Sequence, residues 1–137
     1  MRGDYRLLRQ GGGRTAFAHV YVRILPRSAE DAQIIVAIEP EDNTSVSQSQ
    51  EPELFAAAVQ GCTDILRMLN AEGNDTSNYQ IVILRLTINR VDTRSDAVCT
   101  AAFLATASAL RLGDIYRPVF EGEWKAVRIP SEVDKKM

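Results

Sequence analysis

Arg9-Gln10-Gly11-Gly12-Gly13-Arg14-Thr15-Ala16-Phe17-Ala18-His19-Val20 is the stretch on which the reading of this 137-residue chain turns. Three successive glycines between arginines make a bare, cationic backbone that can adopt positive φ and approach a partner closely. Over residues 16–25 apolar and mixed side chains alternate, the period-two pattern of a half-buried strand. A cationic loop therefore feeds straight into a strand.

Working outward, Pro26 closes that strand and residues 33–38 form a second apolar run. The short polar connection between them predicts a hairpin. Residues 41–50, within an acidic segment over 39–51, are rich in Ser, Gln, Asn and acid; they break all periodicity and read as a mobile loop. Pro52 suits a first helical turn, with Glu51 and Glu53 near the positive end of the helix dipole. Leu54, Phe55, Ala58, Val59, Cys62, Ile65, Leu66 and Leu69 then recur at helical spacing as far as Gly73, a natural helix terminator. Residues 79–88, dense in β-branched and aliphatic side chains, read as a strand. After a polar loop, Thr93 or Ser95 is placed to cap a second helix over 96–112 that ends at Gly113. Its inner face is expected to be small, from Ala97, Ala101, Ala105 and Ser108. Residues 118–120 and 124–129 are two last extended pieces. The expected order is β-β-α-β-α-β, an α+β two-layer sandwich. It has a mixed sheet of about four strands with two helices on one face, in one domain over 1–129 with a charged tail at 130–137.

The bulk numbers narrow the function. At 45% hydrophobic the chain can bury one core, yet no stretch approaches the roughly 20 apolar residues of a membrane helix. The N-terminus carries Arg2, Asp4 and Arg6 and no apolar signal core, so a cytoplasmic location is expected, with no membrane contact. Cys62 and Cys99 read as reduced core thiols. The net charge of −2 conceals an asymmetry: residues 1–27 hold six Arg and one Asp, residues 28–78 one Arg and ten acids. Such a chain is not a general high-pI nucleic-acid binder, although its basic loops could bind RNA locally. Thirteen of sixteen cations are Arg, the residue suited to bidentate phosphate contacts.

The opening stretch resembles the start of domain IV of bacterial translation elongation factor G, whose pattern is R-Q-x-G-G-R-G-Q-Y-G-H-V. Arg9, Gln10, Gly12, Gly13, Arg14, His19 and Val20 match, and Phe17 stands for the Tyr. Val91-Asp92-Thr93 is similar to the family's V-D-S loop, and Arg117-Pro118-Val119-Phe120-Glu121 to its K-P-V-x-L-E-P strand. The resemblance covers roughly residues 5–129. It implies the same element order, and a βαβ crossover of left-handed sense, against the usual rule. It also implies that the glycine loop and the V-D loop lie side by side at a tip that contacts RNA in the decoding site. The RNA-binding residues would be Arg9, Gln10, Gly12, Gly13, Arg14, Asn89, Arg90, Asp92 and Arg94, with Gly13 and Asp92 close neighbours. The chain departs from the family at the tip histidine, which aligns with Asn89 or Arg90, and at Ala16, where the family has Gln.

No catalytic residue, cofactor or metal site is expected. There is no G-x-x-x-x-G-K-[ST] phosphate loop, so nothing here hydrolyses a nucleotide, and any GTPase would act in trans. Neither helix opens on the glycine-serine loop that small-molecule kinases of the same broad fold require. His19 reads as a packing or hydrogen-bonding residue, and Cys99 among alanines lacks anything to stabilise a thiolate. The expectation is a non-enzymatic, translation-factor-like module that contacts ribosomal or other structured RNA through two tip loops. The alternative is a protein-interaction or self-assembly module of the same fold that has lost RNA binding. The sequence leaves the oligomeric state open.

Overall fold

A computed structural model describes residues 1–9, 16–39, 50–89 and 93–129, without the side chains of Arg9 and Ala16. The elements are β1 (Arg2–Arg9), β2 (Ala16–Pro26), β3 (Ile34–Val36), α1 (Pro52–Ala71), β4 (Tyr79–Ile88), α2 (Ser95–Ala109), β5 (Tyr116–Phe120) and β6 (Trp124–Arg128). The fold is α+β. A mixed four-strand sheet in the order β1-β2-β4-β3 carries the two helices on one face, and β5 and β6 form a separate antiparallel hairpin. The acidic stretch over 40–49 and the tail lie outside the described residues.

Three expectations need correction. First, the polar N-terminus is a strand: Gly3, Tyr5 and Leu7 face the helices while Arg2, Asp4, Arg6 and Leu8 face away, an alternation that satisfies both sides. The hairpin is therefore β1–β2, with Arg9 opposite Ala16 as its last pair. Second, β3 does not fold back on β2. It pairs in parallel with β4, Ile34 opposite Ile81. The intervening turn is drawn towards β4 instead: Arg27 donates from Nη1 to the Ser77 carbonyl at 2.8 Å and from Nε to the Asp31 carbonyl at 2.9 Å. Third, the last two extended pieces pair with each other and do not extend the sheet.

β2 pairs with β4 in antiparallel sense, and the pairing contains a bulge. Tyr21 lies opposite Arg85 and Val22 opposite Ile83, leaving Leu84 as the extra residue. Ile81 and Ile83 before the bulge, and Leu86 after it, all reach the buried face despite the odd spacing.

α1 follows the sequence reading closely. Pro52 occupies its first turn, and Leu54, Phe55, Ala58, Cys62, Ile65, Leu66 and Leu69 are buried. Gly73, at φ 91°, ends it in a Schellman motif, with Gly73 N–H bonded to the Asn70 carbonyl and Asn74 N–H to the Leu69 carbonyl. α2 is the centre of the molecule, packed by the sheet, α1 and the β5–β6 hairpin together. Eleven of its fifteen residues are buried, six of them alanine, whereas Ser108, expected inside, is exposed. It ends at Ala109, short of the expected Leu112. Arg111, not Gly113, takes the left-handed position at φ 63°, because Leu112 N–H returns to the Ala107 carbonyl at 2.7 Å.

Candidate nucleic-acid interface

Two loops emerge from one end of the sheet. The first joins the paired residues Arg9 and Ala16 at the head of the β1–β2 hairpin. The second leaves β4 after Ile88, which lies opposite Ala18 near the start of β2. Because β2 and β4 are antiparallel, the start of one strand must sit beside the end of the other.

The roots of the loops are fastened by one side chain. Thr93 Oγ1 donates to the Phe17 carbonyl at 2.7 Å and accepts from Asn89 N–H at 2.8 Å, while Thr93 N–H donates to the Asn89 carbonyl at 2.8 Å. The sequence makes Thr93 one of two candidate caps for α2. Its hydroxyl is instead spent on this joint, and the helix starts after Arg94 in extended conformation, φ −120° and ψ 157°, with no side-chain cap. Nothing local in the sequence distinguishes these uses of a threonine.

Of the nine expected site residues, Arg9, Asn89 and Arg94 are described. Arg9 closes the hairpin ladder through its backbone. Asn89 is exposed and forms part of the threonine joint. Arg94 is 63% exposed, with Nε 3.4 Å from Asp96 Oδ1, so its cation sits at the loop root partly offset by a carboxylate. The other Asp96 oxygen accepts Trp124 N–H at 2.6 Å, tying the C-terminal hairpin to the first turn of α2. Gln10, Gly12, Gly13, Arg14, Arg90 and Asp92 lie outside the described residues, and so does the expected proximity of Gly13 and Asp92.

His19 stands on β2 with Nε2 2.7 Å from Asp4 Oδ2, its ring stacked on Tyr21. The thiols are held in their protonated form. Burial pushes Cys62 up to about 12, and burial together with the nearby Asp64 carboxylate pushes Cys99 up to about 11. Among the described residues no group of three His, Cys, Asp or Glu side chains is placed to hold a metal ion, and no helix is long and apolar enough to cross a membrane.

Among solved structures, the chain is similar to part of a protein from Thermus thermophilus, with a TM-score of 0.59 and 17% sequence identity. The match covers 92% of this chain but 23% of that one, so the chain spans a minor part of that protein's length. At this identity the likeness shows the fold alone. No protein-family model matches the chain, and no curated protein matches it.

Proposed function

We propose that this chain is a non-enzymatic module, similar to elongation factor G domain IV, that contacts ribosomal or other structured RNA through the loops over residues 10–15 and 90–92. The observation that carries the reading is the Thr93 joint, which holds the roots of both loops together at one end of the sheet. Glycine backbone can approach the sugar edge of RNA, and Arg9, Arg14, Arg90 and Arg94 supply phosphate contacts. Asp92 and Gln10 are suited to base or 2′-hydroxyl contacts. Any nucleotide hydrolysis coupled to such binding belongs to a GTPase in trans. A protein-interaction role is favoured by one feature only: β1 is an edge strand, and Met1 and Leu8 at its ends are 56% and 47% exposed.

The test is salt dependence. Affinity for small-subunit ribosomal RNA should fall with salt with a log–log slope of about −1 to −4, as roughly one to four phosphates are neutralised. Replacing Arg14 and Arg90 together by Ala should flatten the slope by about one to two units and leave thermal stability within about 0.5 kcal/mol. Gly13→Val should weaken binding by denying close backbone approach. A wild-type protein without salt-dependent affinity for ribosomes or their RNA at low ionic strength would exclude the reading in favour of the interaction module.

A further inference from the structure

The sheet face turned away from the helices carries a row of rings. Phe17, His19 and Tyr21 alternate along β2 on that face, because Ala18, Val20 and Val22 occupy the buried one. Side chains two residues apart on a strand stand about 7 Å apart. The His19 and Tyr21 rings stack with centroids 4.4 Å apart and planes 30° apart. The Arg6 guanidinium lies 5.7 Å from the Phe17 ring centre, and that of Arg85 lies 5.4 Å from Tyr21. At the end of the sheet away from the tip loops, Arg2 and Arg23 are cross-strand partners and both are exposed.

Beside Tyr21, next to the bulge at Leu84, the surface dips into a notch of about 280 Å³ walled by Arg2, Asp4, Tyr21, Glu39, Leu84 and Arg85. That is just below the roughly 300 Å³ at which small-ligand sites begin, enough for part of a flat ring but not for its enclosure. Among the described residues positive charge prevails on this face, where Arg2, Arg6, Arg23 and Arg85 outnumber Asp4 and Glu39. Each carboxylate is already engaged, Asp4 by His19 at 2.7 Å and Glu39 by Arg85 at 2.7 Å. Ring planes, guanidinium groups and surplus positive charge on one open surface match the chemistry of unpaired nucleotides, whose bases stack on aromatic rings while their phosphates seek Arg.

We propose that this sheet face binds single-stranded RNA, with one base lodged in the notch against Tyr21 between Arg2 and Arg85, and a neighbouring base on the Phe17 side. The commitment to RNA over DNA rests on the tip-loop reading above. The stacking surface itself is separate from the tip loops.

Fluorescence anisotropy of the whole protein with a labelled single-stranded RNA of about 12 nucleotides tests it, a length within the usual footprint of stacking platforms. At about 50 mM salt the wild type should bind, with affinity falling as salt rises. Tyr21→Leu and Phe17→Leu should each weaken binding by about five- to hundred-fold, the usual worth of one stacked base, while Tyr21→Phe retains it. Replacing the exposed pair Arg2 and Arg23 by Ala tests the same face without touching a ring, and should flatten the salt slope by about one to two units. The Arg14→Ala, Arg90→Ala double variant should lose far more of its affinity for ribosomal RNA than for the oligonucleotide, whereas the ring variants should show the reverse. The proposal is overturned by no binding at low salt, or by equal binding of wild type and both leucine variants when their circular dichroism is unchanged. Equal affinity for a DNA strand of the same sequence, or for a polyglutamate peptide, also overturns it. Ribosomal RNA held through Arg14 and Arg90 without oligonucleotide binding would sink the sheet-face site alone. Oligonucleotide binding with no dependence of ribosomal RNA on the tip would uphold that site and remove the tip-loop reading.

Discussion

The two faces of the four-strand sheet obey opposite rules. On the helix side, close approach dominates and backbone meets backbone. A β-carbon on Gly3 would collide with the Ala109 amide of α2, and one on Gly61 with the Cys99 carbonyl, so both positions need a bare α-carbon. With alanine on so much of α2, the helix can lie close to the sheet and to α1 at once. On the other side, long side chains meet one another through ring planes and ion pairs, and each remains partly in water. Burial makes the first face intolerant, whereas exposure makes the second adjustable. The helix side therefore decides whether the protein folds, and the side chains of the other face can change at little cost to it.

The largest effect that would sharpen this contrast is expected at Gly61. Gly61→Val forces α1 and α2 apart and should cost about 3 kcal/mol or more, read as a lowered urea midpoint. An unchanged midpoint would mean that the helix layer is looser than the geometry implies.

Alkaline titration probes the same layer. Cys62 is raised to about 12 from an ordinary thiol value of 9.0. Above that ordinary value the unfolded chain releases the thiol proton while the folded chain keeps it, so stability must fall as pH rises through the interval between the two values. The loss is about 1.4 kcal/mol per pH unit for this group. Cys62→Ala should remove that part of the slope between pH 9 and 12, whatever it does to stability at neutral pH. Cys99 and Tyr116 are also raised and leave a residual slope of the same sign. A variant with the wild-type slope would show that Cys62 is reached by water.

At the boundary between the two regimes stands Thr93. Thr93→Val keeps the branched shape but leaves the Phe17 carbonyl and the Asn89 amide without their shared hydroxyl, a loss of about 1–2 kcal/mol. Under the proposed function it should also weaken ribosomal RNA binding, because the loop roots separate. Unaltered RNA affinity in a destabilised variant would assign the joint to the fold alone. The smallest effect belongs to Arg111, at positive φ just past the end of α2. Arg111→Gly should gain up to about 1 kcal/mol by relieving that conformation, seen as a modest rise in thermal midpoint.

What the sequence made legible follows from how local each cause is. α1 was readable from end to end because its start at Pro52, its buried stripe and its stop at Gly73 are all encoded within one element. β1 was not readable. Its charged residues face water beside a glycine whose purpose is the approach of α2, and that helix lies near the other end of the chain. The partner of β3 was missed for a related reason. A polar turn followed by an apolar run has the same local pattern whether the chain folds back as a hairpin or crosses over in parallel. Here the turn is fastened to the segment that leads into β4, by Arg27 on the Ser77 carbonyl and Gln33 on the Thr76 carbonyl. The glycine loop is evident as a motif, whereas the antiparallel relation of the strands behind it emerges only in the fold. The rings of β2 read only as half of a strand pattern, since alternation does not say that the described helices and hairpin all pack away from that side of the sheet.

The hydrogen bond from Trp124 to Asp96 has an optical consequence. Trp124 is the only tryptophan in the chain, it sits against Phe120 in the hairpin outside the main sheet, and its amide is anchored to α2 two residues from Arg94. Its emission is thus an intrinsic reporter of whether the hairpin is docked. Far-ultraviolet dichroism follows the helices. Recorded on one sample, the two signals separate release of the hairpin from loss of the helices, without any label being attached.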